Sequence, residues 1–313
     1  MMAKMHLKTI KDLRLKKGMS VKELVASMNE MGGFSAQHLG QGTGIVREML
    51  DDKECFNFLS FPADIVATGL RGALAQAVKH FDAIITTCGT LDHDLARAYG
   101  GKYSFGSFYA DDAALHRQKV YRLGNVFIEQ KEYGLAVEEY FNEIMDDIHG
   151  SKDYKKEYSP SELIYEFGKR MKDDGSIIRQ AYLHNVPIFN PGIVDGAFGT
   201  QLAIWSQTHD FKLNVIKDEL KLSDISFEHK KTGALMVGGG ISKHHVIWWN
   251  QFKGGLDYAV YITTATQFDG SLSGARLTEA VSWGKIRENA KYVTIDGDAT
   301  IILPVMLAGL DIV

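Results

Sequence analysis

Four short apolar runs constrain the fold of this chain more than any other feature. Each run is rich in β-branched residues and ends in glycine or in small polar residues; they span 82–89, 186–192, 234–240 and 257–265. Near-continuous hydrophobicity over about four to eight residues is typical of strands that are buried on both faces of a parallel sheet. A fifth run, 300–306, is a weaker candidate because Pro304 cannot donate a hydrogen bond inside a sheet.

Amphipathic stretches with helical periodicity separate the apolar runs. Residues 65–80 and 134–148 form two of them, and a third helix is predicted over 159–172. The third begins with a helix-start signature, in which Ser159 is the N-cap, a proline follows, and Glu162 completes a capping box. Alternating strands and helices predict an α/β fold with a doubly wound, mostly parallel sheet and helices on both faces. No internal repeat or low-complexity linker divides the sequence.

The composition excludes several classes of protein. The 313 residues carry a formal net charge of −4, which argues against nucleic-acid binding because that function needs a basic surface. The two cysteines, Cys55 and Cys88, form neither a disulfide framework nor a zinc-binding pattern, so we expect no metal site and a reducing compartment. The segment 1–17 lacks the apolar core of a signal peptide, and the apolar stretch 300–310 is too short to span a bilayer. We therefore expect a cytoplasmic protein without a membrane-spanning segment.

Residues that could carry chemistry follow the predicted strands, at the sheet edge where open α/β folds bind ligands. The glycines at 238–240 allow a backbone to approach a ligand closely, and Ser242 could cap a helix whose N-terminus attracts phosphate. A tight turn between a strand and a helix explains the same glycines equally well. The Gly-x-Gly-x-x-Gly fingerprint is absent, which weakens a standard dinucleotide site without excluding NAD.

Three aspartates and two histidines near these turns have both a structural and a functional interpretation. Asp195, Asp269 and Asp298 lie in glycine-containing turns, where Asx-turn hydrogen bonds are common. Their carboxylates could instead bind ribose hydroxyls or a cationic substrate. His244 and His245 begin a predicted helix, so their side chains point in different directions and cannot both face one site. One of the two is a candidate acid or base.

Lys285 is the candidate nucleophile. A lysine becomes nucleophilic when desolvation or nearby cations lower its pKa and free the amine to form a Schiff base. Trp283, two residues earlier, could form a wall of the pocket and hold an ammonium group by a cation–π contact, and Glu279 could pair with a substrate amine. Most lysines are solvated surface residues, so this segment alone does not establish catalysis.

Ordered blocks of the sequence together resemble the deoxyhypusine synthase family. The blocks lie at 65–71, 86–89, 122–125, 195–196, 238–245, 257–265, 268–276 and 279–285. The combination of Trp283-Gly284-Lys285 with His244-His245 is the most specific part. The resemblance implies one Rossmann-like, NAD-binding domain over residues 1–313, in which residues 1–50 form an N-terminal helical extension.

The resemblance also implies an activity. In that family, NAD takes a hydride from spermidine, the resulting imine is cleaved, and its aminobutyl part passes to an enzyme lysine. The imine then moves to one lysine of the hypusine-bearing translation factor and is reduced by the same NADH. The family is a homotetramer whose active sites are shared across a subunit interface.

Matching the family's motifs residue by residue assigns a role to each candidate. Lys285 matches the imine-forming lysine, and His244 is assigned to the catalytic residues beside it. The candidates for amine binding are Asp92, His93, Thr200, Gly270, Ser271, Leu272, Glu279 and Trp283. The candidates for NAD binding are Ala63, Asp64, Ile65, Val66, Ala67, Thr87, Cys88, Gly89, Asp195, Gly239, Thr264, Ala265, Asp298 and Ala299.

Three positions depart from the better-known eukaryotic members of the family. Thr200, Leu272 and His93 stand where those enzymes carry acidic residues, although Asp92 beside His93 keeps a carboxylate. Each missing carboxylate removes a partner for a polyamine nitrogen, and a buried ammonium without a partner is costly. Spermidine remains the expected donor because Asp92 and Glu279 are present, with agmatine or another diamine derivative as the alternative. The substitutions resemble the archaeal branch of the family.

The sequence leaves other functions open. A homospermidine synthase would pass the same imine to a small diamine, and nothing in the motifs separates the two acceptors. A non-catalytic NAD-binding paralogue is disfavoured because it should have lost the nucleophile, whereas Lys285 is present. An ordinary dehydrogenase is disfavoured because the glycine fingerprint is missing and Lys285 would have no role.

Overall fold

A six-stranded sheet forms the centre of the fold, and all neighbouring strands in it run parallel. The structure is a computed structural model that describes residues 8–312. In chain order its strands are β1 (Cys55–Ser60), β2 (Ala83–Ile85), β3 (Tyr103–Phe105), β4 (Val120–Leu123), β5 (Val126–Glu129), β6 (Glu157–Tyr158), β7 (Ile188–Phe189), β8 (Lys212–Leu213), β9 (Lys231–Val237), β10 (Leu256–Thr263) and β11 (Ile286–Asp296).

The order of the strands defines where a ligand site should lie. The central sheet has the order β11-β10-β9-β1-β2-β7, so the chain builds outward from β1 in one direction and then from β9 in the other. This is the strand order of the doubly wound dinucleotide-binding folds, which bind ligands where the winding direction reverses. The reversal lies between β1 and β9, and a cleft is therefore expected at their carboxyl ends.

Helices cover both faces of the sheet. They are α1 (Val21–Met31), α2 (Phe34–Asp51), α3 (Leu70–Ala77), α4 (Cys88–Ala98), α5 (Asp112–Arg117), α6 (Ala136–Gly150), α7 (Pro160–Arg170), α8 (Ile177–Leu183), α9 (Ala197–Ser206), α10 (Ile216–Glu228), α11 (Ile241–Gln251), α12 (Leu277–Ser282) and α13 (Ala299–Leu310). Successive strand residues point to opposite faces, so Leu59 and Leu235 lie in one hydrophobic core while Phe58 and Ala234 lie in the other. The core that contains Phe58 is closed by α10, α11 and α12. The predicted doubly wound α/β fold is thus confirmed.

Each of the four apolar runs overlaps one strand of the central sheet: β2, β7, β9 and β10. Two further strands of the central sheet were not predicted. In β1 the polar side chains of Asn57 and Ser60 interrupt the hydrophobic run. In β11, which lies at the edge of the sheet, the exposed residues Glu288 and Lys291 hide the strand character of the sequence.

The prediction of a strand at 300–306 is wrong, because these residues lie in helix α13. Asp298 is the N-cap of this helix and accepts a hydrogen bond from the backbone N–H of Thr300 at 2.8 Å. Pro304 lies inside the helix, where its apolar neighbours Leu303 and Met306 are buried. A short apolar run does not distinguish a buried helix from a buried strand, and here the capping aspartate was the informative residue.

The predicted helices are present with modified limits. The helix over 159–172 is α7, and both hydrogen bonds of the predicted capping box between Ser159 and Glu162 are formed. The stretch 134–148 corresponds to α6. The stretch 65–80 is divided into a 3-10 turn at Asp64–Ala67, then α3, then a second 3-10 turn at Val78–His80.

Smaller elements surround the central sheet. Strands β3, β5 and β4 form an antiparallel sheet in that order, and β6 pairs with β8. The described part of the predicted N-terminal extension contains α1 and α2, and its first seven residues lie outside the described range. The division of residues 1–313 into one domain with this extension stays a prediction. Within residues 8–312, no helix is both long enough and apolar enough to cross a membrane.

Candidate functional site

A cavity of about 390 Å³ opens at the carboxyl ends of β1, β9, β10 and β11. Seven residues expected to bind NAD line it: Asp64, Ile65, Gly239, Thr264, Ala265, Asp298 and Ala299. A larger cavity, about 490 Å³, includes Asp82 and Val186, which precede β2 and β7 and therefore lie at the opposite edge of the sheet. The smaller cavity is the candidate cofactor site because ligands of open α/β sheets bind at the carboxyl ends of the strands.

The glycine turn after β9 forms one wall of this cavity. Gly238 and Gly240 adopt the positive φ angles of +63° and +73°, which favour glycine. A Cβ atom on Gly239 would lie 2.1 Å from the Oγ and 2.3 Å from the Cα of Ser273, so only glycine fits against that backbone. The expectation that Ser242 caps α11 is wrong: the N-cap is Gly240, and Ser242 Oγ donates to the Gly239 carbonyl at 3.4 Å.

The missing side-chain cap at α11 has a chemical consequence. Within the described residues, Gly240 leaves the first amide groups of the helix without a capping side chain. The N-terminus of a helix carries partial positive charge and unpaired N–H donors, which suits a phosphate group. The turn at 238–240 therefore fits a phosphate-containing cofactor.

Two exposed carboxylates border the cavity. Asp298 uses one oxygen, Oδ1, to cap α13, and its other oxygen makes no hydrogen bond within the described residues. Asp64 is also exposed, in the 3-10 turn that follows β1. Carboxylates at the ends of strands in such folds accept hydrogen bonds from ribose hydroxyls. Asp269, in contrast, accepts the Ser271 N–H at 2.7 Å and forms the Asx turn of the structural interpretation.

The segments at 63–67 and 87–89 meet at the end of β1 and β2. A Cβ atom on Gly89 would lie 2.8 Å from the Ala63 Cβ, which shows how closely the two turns pack. Val66 and Ala67 are buried, so they can contribute backbone and packing but no exposed side chain. Thr87 is partly exposed at the start of α4.

Cys88 lies in this turn as a thiol and not as a nucleophile. The side chain is buried, and burial together with the nearby Asp92 raises the pKa of the thiol to about 12. Asp195 is exposed, and its negative charge lies close enough to raise the pKa of both Cys88 and Asp92. Asp195 therefore belongs to the same end of the sheet as the 87–89 turn.

Lys285 lies in a second cluster, on the face of the sheet covered by α11 and α12. The residue directly precedes β11, and its carbonyl accepts a hydrogen bond from Leu256 N–H at 3.1 Å, at the start of β10. Only 8% of Lys285 is exposed, and its Nζ atom lies 5.1 Å from the ring centre of Trp283 and 5.8 Å from that of Trp248. A largely buried lysine thus has its amine near two tryptophan rings.

The two histidines of α11 point to different neighbours, as predicted. The ring centre of His244 lies 5.6 Å from that of Trp248, on the side of Lys285. Partial burial and the positive charge of Lys285 lower the pKa of His244. The Nε2 atom of His245 lies 3.2 Å from a carboxylate oxygen of Glu219 in α10. His244 is therefore the histidine of the lysine cluster, and it is neutral near pH 7.

The other amine-site candidates on this side are exposed. The Glu279 carboxylate makes no ion pair within residues 8–312 and is free to accept an ammonium group. Gly270, Ser271 and Leu272 form an exposed turn, in which Gly270 has a φ of +70°. This turn continues into Ser273, which lines the cofactor cavity, so the loop connects the two clusters.

Lys243 is a residue of this region that the sequence did not single out. Only 2% of it is exposed, and its Nζ atom donates hydrogen bonds to the carbonyls of Leu272 at 2.8 Å and Ala275 at 2.6 Å. The same atom lies 3.9 Å from the ring centre of Tyr261. Burial lowers the pKa of Lys243 to about 8. Lys243 stands directly before His244 in the block 238–245, which was the available sequence signal for a role at the site. It was passed over because a lysine on a helix is usually solvated.

The remaining candidates form a third cluster around α4 and α9. Asp92 and His93 are buried in α4, and both are hydrogen-bonded to protein groups. Thr200 is exposed on α9 and lines a separate shallow cavity together with Tyr121 and Leu135. Within residues 8–312, no hydrogen bond or ion pair joins a side chain of this cluster to Lys285. Among the same residues, no group of three or more His, Cys, Asp and Glu side chains could hold a metal ion.

The fold and these clusters define a class of protein: a Rossmann-type α/β fold with a candidate cofactor cavity at the strand ends and a largely buried lysine beside two tryptophans. Residues 23–310 match the family model of deoxyhypusine synthase. Proteins named as probable deoxyhypusine synthases are 50% identical in Picrophilus torridus, over 302 residues, and in Thermoplasma volcanium, over 305 residues. In both alignments, 96% of this chain and 96% of the relative are covered.

Solved structures agree with the fold. The crystal structure of a deoxyhypusine synthase candidate from Entamoeba histolytica aligns with a TM-score of 0.66 at 21% identity, covering 96% of each chain. A complex of AgrE with ornithine and NAD⁺ aligns with a TM-score of 0.55 at 14% identity, covering 91% of this chain and 35% of that chain. At these identities the likeness concerns the fold alone. The family match and the relatives show that the chain belongs to the deoxyhypusine synthase family of transferases, which confirms the resemblance.

Proposed function

We propose that this chain transfers the aminobutyl group of spermidine, in an NAD-dependent reaction, to one lysine of the hypusine-bearing translation factor. The observation that carries the proposal is the largely buried Lys285, whose Nζ atom lies near the rings of both Trp283 and Trp248. Aromatic rings at these distances attract an ammonium group and can form walls around a bound imine carbon. The membership in the family supplies the reaction, and the lysine cluster supplies the group that would carry the intermediate.

The strand-end cavity fits NAD. Its uncapped helix N-terminus suits a pyrophosphate, and the free oxygen of Asp298 and the carboxylate of Asp64 suit ribose hydroxyls. When bound, NAD would accept a hydride from the amine and return it at the end of the reaction. We assign the cofactor contacts to the residues that line this end of the sheet: 63–67, 87–89, Asp195, Gly239, Thr264, Ala265, Asp298 and Ala299.

The lysine cluster would carry the group transfer. Lys285 Nζ adds to the imine carbon of the oxidised donor, and the diamine remainder leaves as a free amine, so one C–N bond forms and one breaks. The lysine of the acceptor then repeats the exchange and releases Lys285. His244, which is neutral near pH 7, would take and return the proton at each exchange, and Glu279 would hold the terminal ammonium of the donor.

The lysine cluster is open on one side of the single chain. Trp283 is 66% exposed and Trp248 is 41% exposed, although both rings lie beside the buried Lys285. A second copy of the chain over this face would exclude water from the imine. Because the family that the chain belongs to is homotetrameric, we propose that this contact forms within a homotetramer. Light scattering of the purified chain tests the assembly: a fully active monomer would contradict it.

Label transfer tests the proposed reaction. The purified chain is incubated with NAD, the translation factor and spermidine labelled in the aminobutyl part. In parallel reactions, putrescine is added as an alternative acceptor, or agmatine replaces spermidine as the donor. We expect label on one factor lysine and, after borohydride reduction, an aminobutyl adduct on Lys285. Lys285→Ala should abolish both signals, whereas Lys212→Ala, on the exposed strand β8, should leave them intact.

Each alternative gives a different result in this assay. Label on putrescine with an unlabelled factor would indicate a homospermidine synthase. Label or mass transfer from agmatine alone would indicate a different donor. No adduct on Lys285 with any amine would indicate a protein that binds NAD without catalysis.

A further inference from the structure

We propose that Asp92 is a positioning residue that fixes the first turn of α9, and with it Asp195, at the cofactor site, and that it does not bind the amine. This inference rests on the proposed use of NAD. It assigns to the carboxylate a role different from the substrate contact that the sequence resemblance implies.

The carboxylate of Asp92 is occupied by the protein. Its Oδ2 accepts hydrogen bonds from the Ala197 N–H and the Tyr133 hydroxyl, each at 3.0 Å, and its Oδ1 accepts one from the Phe198 N–H at 2.7 Å. Only 1% of Asp92 is exposed. The Cys88 thiol lies against Oδ1 as well, with its Sγ atom at 4.0 Å. These four groups take up the roughly four acceptor sites of a carboxylate, so an ammonium would have to displace one of them.

The two backbone donors belong to the start of α9. The N-cap of this helix is Gly196, which has no side chain and makes no capping hydrogen bond within the described residues. Asp92, from helix α4, takes the place of a capping side chain. A carboxylate at this point satisfies unpaired N–H groups and interacts favourably with the helix dipole.

Close packing excludes a ligand between the two helices. A Cβ atom on Gly196 would lie 2.6 Å from Asp92 Oδ2 and 2.7 Å from Cys88 Sγ. The turn that contains Gly196 therefore rests directly on Asp92 and Cys88. Asp195 is the residue before this glycine, and the neighbours of Cys88 form the 87–89 turn, so a displaced Asp92 would shift both parts of the cofactor site.

The neighbouring His93 is held in the same way. Its Nδ1 atom and the Tyr103 hydroxyl are hydrogen-bonded at 2.8 Å, and its ring centre lies 5.1 Å from that of Tyr133. Burial lowers the pKa of His93 to about 4, so the side chain is neutral and offers no charge to an amine. Asp92 and His93 are thus each hydrogen-bonded to a tyrosine, Asp92 to Tyr133 and His93 to Tyr103.

The two roles of Asp92 predict opposite effects of one substitution. In Asp92→Asn, the amide keeps one acceptor oxygen but places an NH₂ group against N–H or O–H donors, which releases the start of α9. A positioning role predicts weaker NADH binding with unchanged amine binding. A substrate contact predicts weaker amine binding with unchanged NADH binding.

Titration of the purified full-length chain with NADH, followed by its fluorescence, separates these outcomes. We expect Asp92→Asn and Gly196→Ala each to weaken NADH binding by about tenfold or more, the scale of one lost charged hydrogen bond. Tyr133→Phe, which removes one of three bonds, should weaken it less. Tyr103→Phe removes the partner of His93 and leaves Asp92 intact, so it serves as the matched control with near wild-type NADH affinity.

The KM for spermidine, measured at saturating NAD, completes the test. We expect it to change less than about twofold in Asp92→Asn, while the KM for NAD rises. Wild-type NADH affinity in Asp92→Asn together with a raised KM for spermidine would overturn the inference and leave the proposed function intact. Absence of NADH binding by the wild-type chain would overturn the proposed function as well.

Discussion

The Nζ atom of Lys285 lies 5.1 Å from the ring centre of Trp283, and it lies 5.8 Å from that of Trp248. Both distances are within the range in which a cation is attracted to the face of an aromatic ring. Trp283 itself is two-thirds exposed, so its ring borders the open side of the cluster. The ring is therefore available to a bound amine as well as to the lysine.

Replacing Trp283 should weaken the binding of the amine donor. We expect Trp283→Leu to raise the KM for spermidine about 5- to 30-fold, corresponding to about 1–2 kcal/mol for a desolvated cation–π contact. Trp283→Phe should recover part of the loss because a ring remains. The control is Phe227→Ala, an exposed aromatic residue on α10. An unchanged KM in Trp283→Leu would show that the ring does not contact the donor.

Removing the ammonium of Lys243 should loosen the loop at 270–276. Lys243→Met keeps the length of the side chain but removes the donors to the carbonyls of Leu272 and Ala275. We expect faster hydrogen exchange in this loop, a higher KM for the donor and a loss of about 1–3 kcal/mol in the free energy of unfolding. Lys212→Met, at an exposed position, should change none of these quantities. Unaltered exchange in the loop of Lys243→Met would contradict the anchoring role.

The buried His93 should make stability depend on pH below neutrality. Its pKa is lowered to about 4 by burial and by the charge of Arg97, whereas the unfolded chain has the ordinary value of 6.5. Between these values the unfolded state binds more protons, so stability is full above pH 6.5 and is lost as the pH falls towards 4. The largest contribution of one group is about 1.4 kcal/mol per pH unit.

Urea denaturation at pH 7 and pH 5 measures this effect. We expect the midpoint of the wild type to fall more between the two values than that of His93→Gln, which cannot take up the proton. The control is His209→Gln, because His209 is only partly buried and stacks on Trp205, away from His93 in the sequence. Equal shifts in the wild type and His93→Gln would show that His93 does not titrate as described.

Much of the fold was predictable because parallel strands buried on both faces leave apolar runs in the sequence. The runs at 234–240 and 257–265 identify β9 and β10 for this reason. Strand β11 was missed because its exposed edge tolerates charged residues such as Lys291. Helix α13 was taken for a strand because a buried helix has no polar face, and only Asp298 at its start indicated the helix.

The site was predictable where residues directly follow strands and less so where distant segments meet. Gly239 and Thr264 follow β9 and β10, and both line the cavity at the carboxyl ends of the strands. The surroundings of Lys285 depend on Trp248 from another helix, which no spacing in the sequence reveals. The same holds for Asp92, whose donors come from α9 and from Tyr133.

Replacing Gly239 by alanine tests whether the turn at 238–240 belongs to the cofactor site. The Cβ of Gly239→Ala would meet the Cα of Ser273 at 2.3 Å, and a rotation of the serine side chain cannot relieve a contact with backbone. The turn after β9 or the 271–274 loop must therefore move, at a cost of about 1–3 kcal/mol in the free energy of unfolding. Both segments line the cavity, so we expect NADH affinity to fall about tenfold or more.

The matched control for this substitution is Gly72→Ala, in helix α3. No other atom lies within 4 Å of the Cβ position at Gly72, and the residue is exposed in the first turn of the helix. Alanine should stabilise the chain there by up to about 1 kcal/mol and leave NADH binding unchanged. The thermal unfolding temperature should thus fall in Gly239→Ala and rise in Gly72→Ala, and only Gly239→Ala should lose NADH affinity. Unchanged NADH affinity in a folded Gly239→Ala would exclude the 238–240 turn from the cofactor site, since the steric displacement of that turn is unavoidable.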